Sequence, residues 1–303
     1  MNPLLHLVTM DFPYATETVC IFMAIQGSMA VRNGPNKSKT MHWFHAFVRS
    51  TLTAYAGATF TNIFMGRPTA MFANDIFFGS CILGYGIVNW LPFNIGYHFF
   101  NTIPGVALHT VFSQIFRVSG IIGFSDAAYA AFKETPSAYY PIPVFGPILF
   151  PAALGNMGGF LWNGFDGYLE DGMPWLFQQG LVCSTMYHFY AHDVVGTIGV
   201  TIRSVVKPLV AFPVMKLLGA DDVQVQDDVL FAKFCVGLFM VGMSILQLPM
   251  ILGPKFSPFV GAYNVLTGRT FIGGKKKSRK QTTKPSAPGS VGNGIKTGKK
   301  KNQ

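Results

Sequence analysis

The sequence predicts an all-α integral membrane protein: seven transmembrane helices, arranged as an inverted repeat of three plus three with an additional seventh helix. Three observations lead there. Charged residues make up only 12% of the chain and hydrophobic residues 50%, about half the charge that a soluble domain carries on its surface. Seven apolar stretches approach the roughly 20 residues that a hydrocarbon core of about 30 Å demands. Glycines interrupt the second and the fifth stretch, the corresponding members of two three-helix halves.

The predicted spans are Tyr14–Val31, Trp43–Met65, Ile76–Leu91, Pro104–Phe124, Ile142–Leu161, Trp175–Thr197 and Val229–Leu252. The third is short unless it runs past Pro92 to His98. Between the sixth and seventh, Val200–Asp228 is broken by Pro208 and Pro213 and carries Lys207 and Lys216. It reads as an interfacial or re-entrant piece ahead of an eighth crossing. From Gly273 onward composition becomes low-complexity, dividing the chain into a membrane body (1–272) and a basic disordered tail (273–303).

The net charge of +10 is concentrated in that tail. Met1 to Thr270 holds 13 basic and 13 acidic residues, which cancel, whereas Lys275 to Lys301 holds 10 bases and no acid. Such a segment docks on anionic cytosolic lipid or stays solvated, two readings of equal weight. Arg32, Lys37 and Lys39 place the first loop in the cytosol, and seven crossings then return the tail to the same side. The acids Asp166, Glu170 and Asp171 and the bases Arg203, Lys207 and Lys216 pull the other way in the middle of the chain. Cys20, Cys81, Cys183 and Cys235 each sit in apolar runs without metal spacing, so four free thiols are expected.

Polar side chains inside spanning helices are costly and mark function by default. In the second helix Arg49, Thr53, Gly57 and Thr61 recur every fourth residue, making one polar stripe. In the fourth, His109, Ser113 and Arg117 do the same. In the fifth, Gly155, Asn156, Gly158 and Gly159 follow Pro147 and Pro151. Thr53, Gly57, Thr61, Asn156, Gly158 and Gly159 are therefore the candidate pore or helix-break residues, though small residues also serve close helix packing. His188 and His192 share a helix face with Asp193 nearby, which suggests a metal. A satisfied polar contact near a helix end outweighs it for want of a third ligand at convincing spacing. No nucleophile stands with a base in a recognisable motif, so no catalytic residue is assigned and an enzyme is not expected.

The motifs resemble those of the trimeric intracellular cation channel family. Tyr55-Ala56-Gly57-Ala58, followed by Asn62-Ile63-Phe64-Met65-Gly66-Arg67-Pro68, resembles that family's glycine-bearing second helix and its ending. Asn89-Trp90-Leu91-Pro92-Phe93-Asn94 is similar to the stretch after its third helix. Ser113-Gln114-Ile115-Phe116-Arg117-Val118 falls where the family carries two bases, and Gly155-Asn156-Met157-Gly158-Gly159 resembles its glycine-rich fifth helix. The likeness runs from the first helix to Gly159.

The resemblance implies a homotrimer of the endoplasmic or sarcoplasmic reticulum with a pore in each subunit. It implies passage of potassium as the counter-ion to calcium release and uptake, and phosphoinositide held by the fourth helix. Arg117 matches one of the lipid-binding bases, while Ser113 replaces the other. Arg67 and Asn94 stand where acids are common. Lys300 and Lys301 match a dilysine retrieval signal, with chance placement in a lysine-rich tail as the equal alternative. An inverted-repeat carrier of small solutes and a lipid-anchored scaffold are the competing function classes.

Overall fold

The computed structural model describes residues 3–135, 143–153, 160–161, 164, 175–192, 197–206, 208–209, 212–217, 219, 227–248 and 251. Among them all regular structure is helical. A short α1 (Pro3–Thr9) precedes α2 (Ala15–Asn33) and α3 (Trp43–Phe64), the first two predicted spans within two residues. A turn of helix, α4 (Ala70–Ala73), leads into α5 (Asp75–Asn89), whose amino end is capped by Asn74 accepting from Ile76 N.

The third span does run on, but through a break. After Pro92–Asn94 the chain continues as α6 (Ile95–Asn101), bent 84° from α5. Pro92 removes a donor, and Phe93 and Asn94 adopt left-handed backbone (φ 54° and 56°) that no helix continues through. The bend folds α6 back so closely that a Cβ on Gly96 would lie 1.9 Å from Ile87 O. Gly96→Ala is expected to destabilise the protein by about 2–4 kcal/mol, read as an earlier unfolding transition in detergent micelles. A variant as stable as the parent would mean that the break does not depend on this approach.

α7 (Ile103–Glu134) is the longest element, starting with Thr102 accepting from Gly105 N and Pro104 in the first turn. It outruns the predicted span by 10 residues because Ala127, Ala128, Ala130 and Ala131 extend it. Its 32 residues measure about 48 Å, more than one hydrocarbon thickness. α8 (Phe145–Ala153) lies within the fifth predicted span. α9 (Trp175–Ala191) ends six residues before the sixth predicted span does. Among the described residues after it are α10 (Thr197–Val206) and α11 (Phe212–Leu217), neither long enough to cross a bilayer. α12 (Asp228–Leu246) is capped by Asp227, which accepts from Val229 N and Leu230 N.

By length and apolar character α7 and α12 can each cross a membrane, and the bent α5–α6 pair makes a third candidate. α2 and α3 have the length, 19 and 22 residues, but fall short in hydropathy. Their buried Ser28, Ser50, Thr51 and Thr61 face the bundle rather than lipid. α2 packs against α3, α5 and α7, while α7 also packs against α8, α9 and α12. α3 meets α5 and α8, and α8 meets α9. At the α2–α5 crossing a Cβ on Gly84 would lie 2.6 Å from Ala24 Cβ, so glycine is what lets the backbones approach. Cys20, Cys81 and Cys183 are buried free thiols and Cys235 is partly buried.

Two bases read from the sequence as loop charges have structural work instead. Arg32 is only 5% exposed and donates to Val88 O and to Asn94 Oδ1 (2.5 Å), with its guanidinium 4.0 Å above the Tyr97 ring. It ties the carboxyl end of α2 to both sides of the α5–α6 break. Arg203 donates from Nε to Tyr190 O at 2.6 Å. Neither is a free loop cation, so Arg32 counts for less in favour of the charge-based orientation and Arg203 for less against it.

Candidate functional site

Helix α2 packs against both α3 and α7, and a cavity of about 300 Å³ lies between those two. The repeat of four along α3 puts Thr53, Gly57 and their neighbours Ala54 and Ala58 on its wall. Arg67, three residues past the end of α3, lines it as well. From α7 come Phe116, Arg117, Ser119, Gly120 and Gly123. Gly57 and Ala58 leave the α3 wall without bulk, and Gly120 and Gly123 do the same opposite.

One side of the cavity is aromatic. Phe77 and Phe116 line it, with ring centroids 6.0 Å apart, and Tyr55 stands edge-on to both at 5.7 and 5.4 Å. Tyr55 is 1% exposed and donates to Cys20 O at 2.5 Å, which locks the cluster to α2. The charged lining is cationic: among the described residues Arg67 and Arg117 line the cavity and no carboxylate does, and Arg117 Nη2 donates to Gln26 Oε1 on α2 at 3.0 Å. Two guanidiniums in a mostly apolar chamber suit bidentate recognition of an anionic oxygen group such as phosphate.

A second cavity of about 220 Å³ adjoins the first. It is lined by Thr9 at the end of α1 and Met10 after it, by Ser119, Ile122, Gly123 and Asp126 of α7, and by Lys233 of α12. Ser119 and Gly123 belong to both cavities. Where a Cβ on Gly123 would sit, nothing lies within 4 Å. The two chambers thus meet across a stretch of α7 that presents only a hydroxymethyl group and a hydrogen atom.

The sequence-derived candidates divide clearly. Thr53, Gly57 and Arg117 line the first cavity. Thr61 is 2% exposed and does not line it, because the third step of four from Arg49 along α3 has rotated away from the chamber. Ser113 is fully buried and donates to Thr110 O at 2.9 Å, so its hydroxyl is committed to its own helix and does not reach the cavity beside Arg117. His109 is 8% exposed and stands edge-on to Phe100. Asn156, Gly158, Gly159, Lys300 and Lys301 lie outside the described residues, as does Asp193. His188 and His192 do meet, and their acidic partner is Asp126 of α7, 66 positions from His192.

Sequence reasoning left Ser119, Gly120, Gly123 and Asp126 unassigned. A signal was there for the glycines: they continue the Ser113–Arg117 face at helical spacing, but glycine in α7 reads equally as packing. Asp126 carried no signal, since its partners come from a helix some 60 residues away.

No protein-family model matches this sequence, and no curated protein does either. A structural match is found to a trimeric intracellular cation channel from C. elegans, solved in the absence of Ca2+. The two share 15% sequence identity and superpose with a TM-score of 0.51, covering 78% of this chain and 89% of that chain. That likeness covers most of both chains, and it lies in backbone arrangement, where the motifs of α3, α5 and α7 had pointed. This is a multi-pass helical membrane protein with the fold of a trimeric intracellular cation channel.

Proposed function

We propose that the chain is a divergent trimeric intracellular cation channel that conducts potassium across a reticulum membrane as the counter-ion path for calcium release and uptake. The observation that carries the reading is the pair of adjoining cavities on α7, walled by glycine, alanine and serine and set inside the fold of such a channel. Ions would pass between α3, α7 and their neighbours, with Thr53, Gly57, Ser119 and Gly123 on the wall.

The helix contacts support an inverted repeat with a seventh helix outside it. Pairing α2, α3 and α5 with α7, α8 and α9 maps each contact inside the first half onto one inside the second. The contacts α2–α7 and α3–α8 then join equivalent members. Seven crossings follow if α2, α3, the bent α5–α6 pair, α7, α8 with its continuation, α9 and α12 each span. Asn156, Gly158 and Gly159 would mirror Gly57 in the second half. The homotrimer and the reticulum location with a cytosolic tail and a retrieval signal at Lys300 and Lys301 extend the same reading.

Arg67 and Arg117 oppose cation entry unless their charge is met, and a phosphoinositide headgroup beside Arg117 would meet it. The test is single-channel recording of the purified full chain in a planar bilayer containing phosphoinositide, under a KCl gradient. Unitary currents reversing near the potassium potential are expected. Reversal near the chloride potential would replace the reading with an anion channel, and a silent bilayer from folded protein would move it to a carrier.

A further inference from the structure

At the far side of the second cavity four groups are strung in a line that the channel reading does not use. Pro143 O lies 3.0 Å from His188 Nε2. His188 Nδ1 lies 2.7 Å from His192 Nδ1. His192 Nε2 lies 3.0 Å from Asp126 Oδ1. Each contact needs one hydrogen between its two heavy atoms, so the complete chain holds three.

A carbonyl and an ionised carboxylate only accept, and two neutral imidazoles supply two hydrogens. The third is therefore an extra proton, either on the imidazole pair or on the Asp126 carboxyl, which then donates to His192 Nε2. Both placements satisfy all three contacts, and both leave the trio with zero net charge. Remove that proton and the trio becomes an anion in which one contact sets lone pair against lone pair. In a site where His188 is fully buried, lone pair facing lone pair across an unmade hydrogen bond is the costly state.

We propose that Asp126, His192 and His188 form a one-proton binding site whose occupancy latches α7 to α9 and to the segment entering α8. Access is built in. The Asp126 side chain is 48% exposed and lines the second cavity, while the His192 side chain is 11% exposed, so protons arrive through Asp126.

Every element around the site contributes to its setting. From α7, Tyr129 stacks on His192 (4.2 Å, 9°) and stands edge-on to His188, with Lys133 Nζ 5.5 Å from the Tyr129 ring. From α9, Tyr187 donates to the same Asp126 Oδ1 at 2.9 Å. At the start of α12, Asp227 lies within electrostatic reach of Tyr187, Asp228 accepts from Tyr190, and Lys233 faces the cavity with Asp126. From α10, Arg203 holds the Tyr190 carbonyl. α8 itself brings no titratable side chain. Asp126 belongs to the same cavity wall as Ser119 and Gly123, so the latch can bias conduction, a consequence that rests on the channel reading whereas the proton site does not.

The test uses the full chain, histidine-labelled with ¹⁵N, in lipid nanodiscs. Wild type is expected to show an N–H···N coupling between two imidazoles at low pH, lost in a single-proton transition as the pH rises. Absence of that coupling at every pH overturns the site, and this measurement needs no variant. His192→Gln and Asp126→Asn should each abolish the transition, while His98→Gln, far along the chain on α6, should leave it. A transition that survives His192→Gln also overturns the site. In potassium-loaded vesicles, flux is expected to change about fivefold or more across that same transition in wild type only. Flux without pH dependence beside an intact spectroscopic transition would overturn the coupling to conduction and leave the proton site standing.

Discussion

On the proposed channel function, Gly57→Leu is expected to reduce potassium conductance by about tenfold or more, because a hydrophobic constriction blocks ion passage by dewetting as well as by bulk. Gly57 sits on the α3 wall of the first cavity between Thr53 and the opposing face of α7. An isobutyl group there takes volume from a chamber of about 300 Å³ whose lining also includes Phe116 and Arg117. The apolar surroundings formed by Phe77, Phe116 and Met23 welcome leucine, so the change costs function rather than stability. Single-channel recording beside a thermal melt separates the two. Unchanged conductance in the leucine variant would place the ion path elsewhere, and a second comparison, Gly123→Leu, would then show whether the junction of the two cavities carries it.

Arg32→Met is expected to destabilise the protein by about 2–4 kcal/mol, from the loss of charge-assisted hydrogen bonds and a cation–π contact. Arg32 holds Val88 O near the end of α5, Asn94 Oδ1 inside the break and the Tyr97 ring on α6. The carbonyl of Val88 is one that a helix end leaves without an intrahelical donor, so removing the guanidinium strands it. Methionine preserves the length and fills apolar volume, which isolates the polar contribution. Arg32→Lys should recover only part of the loss, because an ammonium cannot fork between two acceptors and lie flat on a ring at once. Unfolding in micelles measures both variants. Equal stability of wild type and Arg32→Met would show that the break between α5 and α6 stands without the brace.

These two positions differ in how visible they were beforehand. Gly57 announced itself because a polar and small-residue stripe every four positions is a property of one helix, and periodicity survives in a sequence. Arg32 looked like an ordinary loop cation, and its neighbours on α2 explain why. It follows an apolar run directly, the place where a positively charged membrane flank is expected. Its partners Val88, Asn94 and Tyr97 lie some 60 residues away, and no local pattern links them. The break at Pro92 was anticipated as an uncertainty about where the third span ends. The 84° bend and the left-handed Phe93 and Asn94 were not.

Within the site the same division holds. Arg117 was singled out because an arginine deep in an apolar run needs a partner, and Gln26 on α2 supplies one. Ser113 was grouped with it by spacing and by the family resemblance, and a buried hydroxyl bonded to Thr110 O takes it out of reach of the cavity. His188 and His192 were recognised as neighbours on one face, yet Asp126 could not be connected to them until α7 and α9 were laid side by side.

By itself the sequence determined that the chain is helical and built for a membrane, where its longest helices begin, and which faces carry polar groups. Those properties follow from composition and from the 3.6-residue period, both of which act within a single helix. Only the tertiary structure decided which faces meet, that two cavities share Ser119 and Gly123, that Arg32 braces a broken helix, and that two histidines close on Asp126. Those are contacts between helices distant in the chain, set by backbone approach at glycines such as Gly84 and Gly96, and side-chain spacing along one helix carries no record of them.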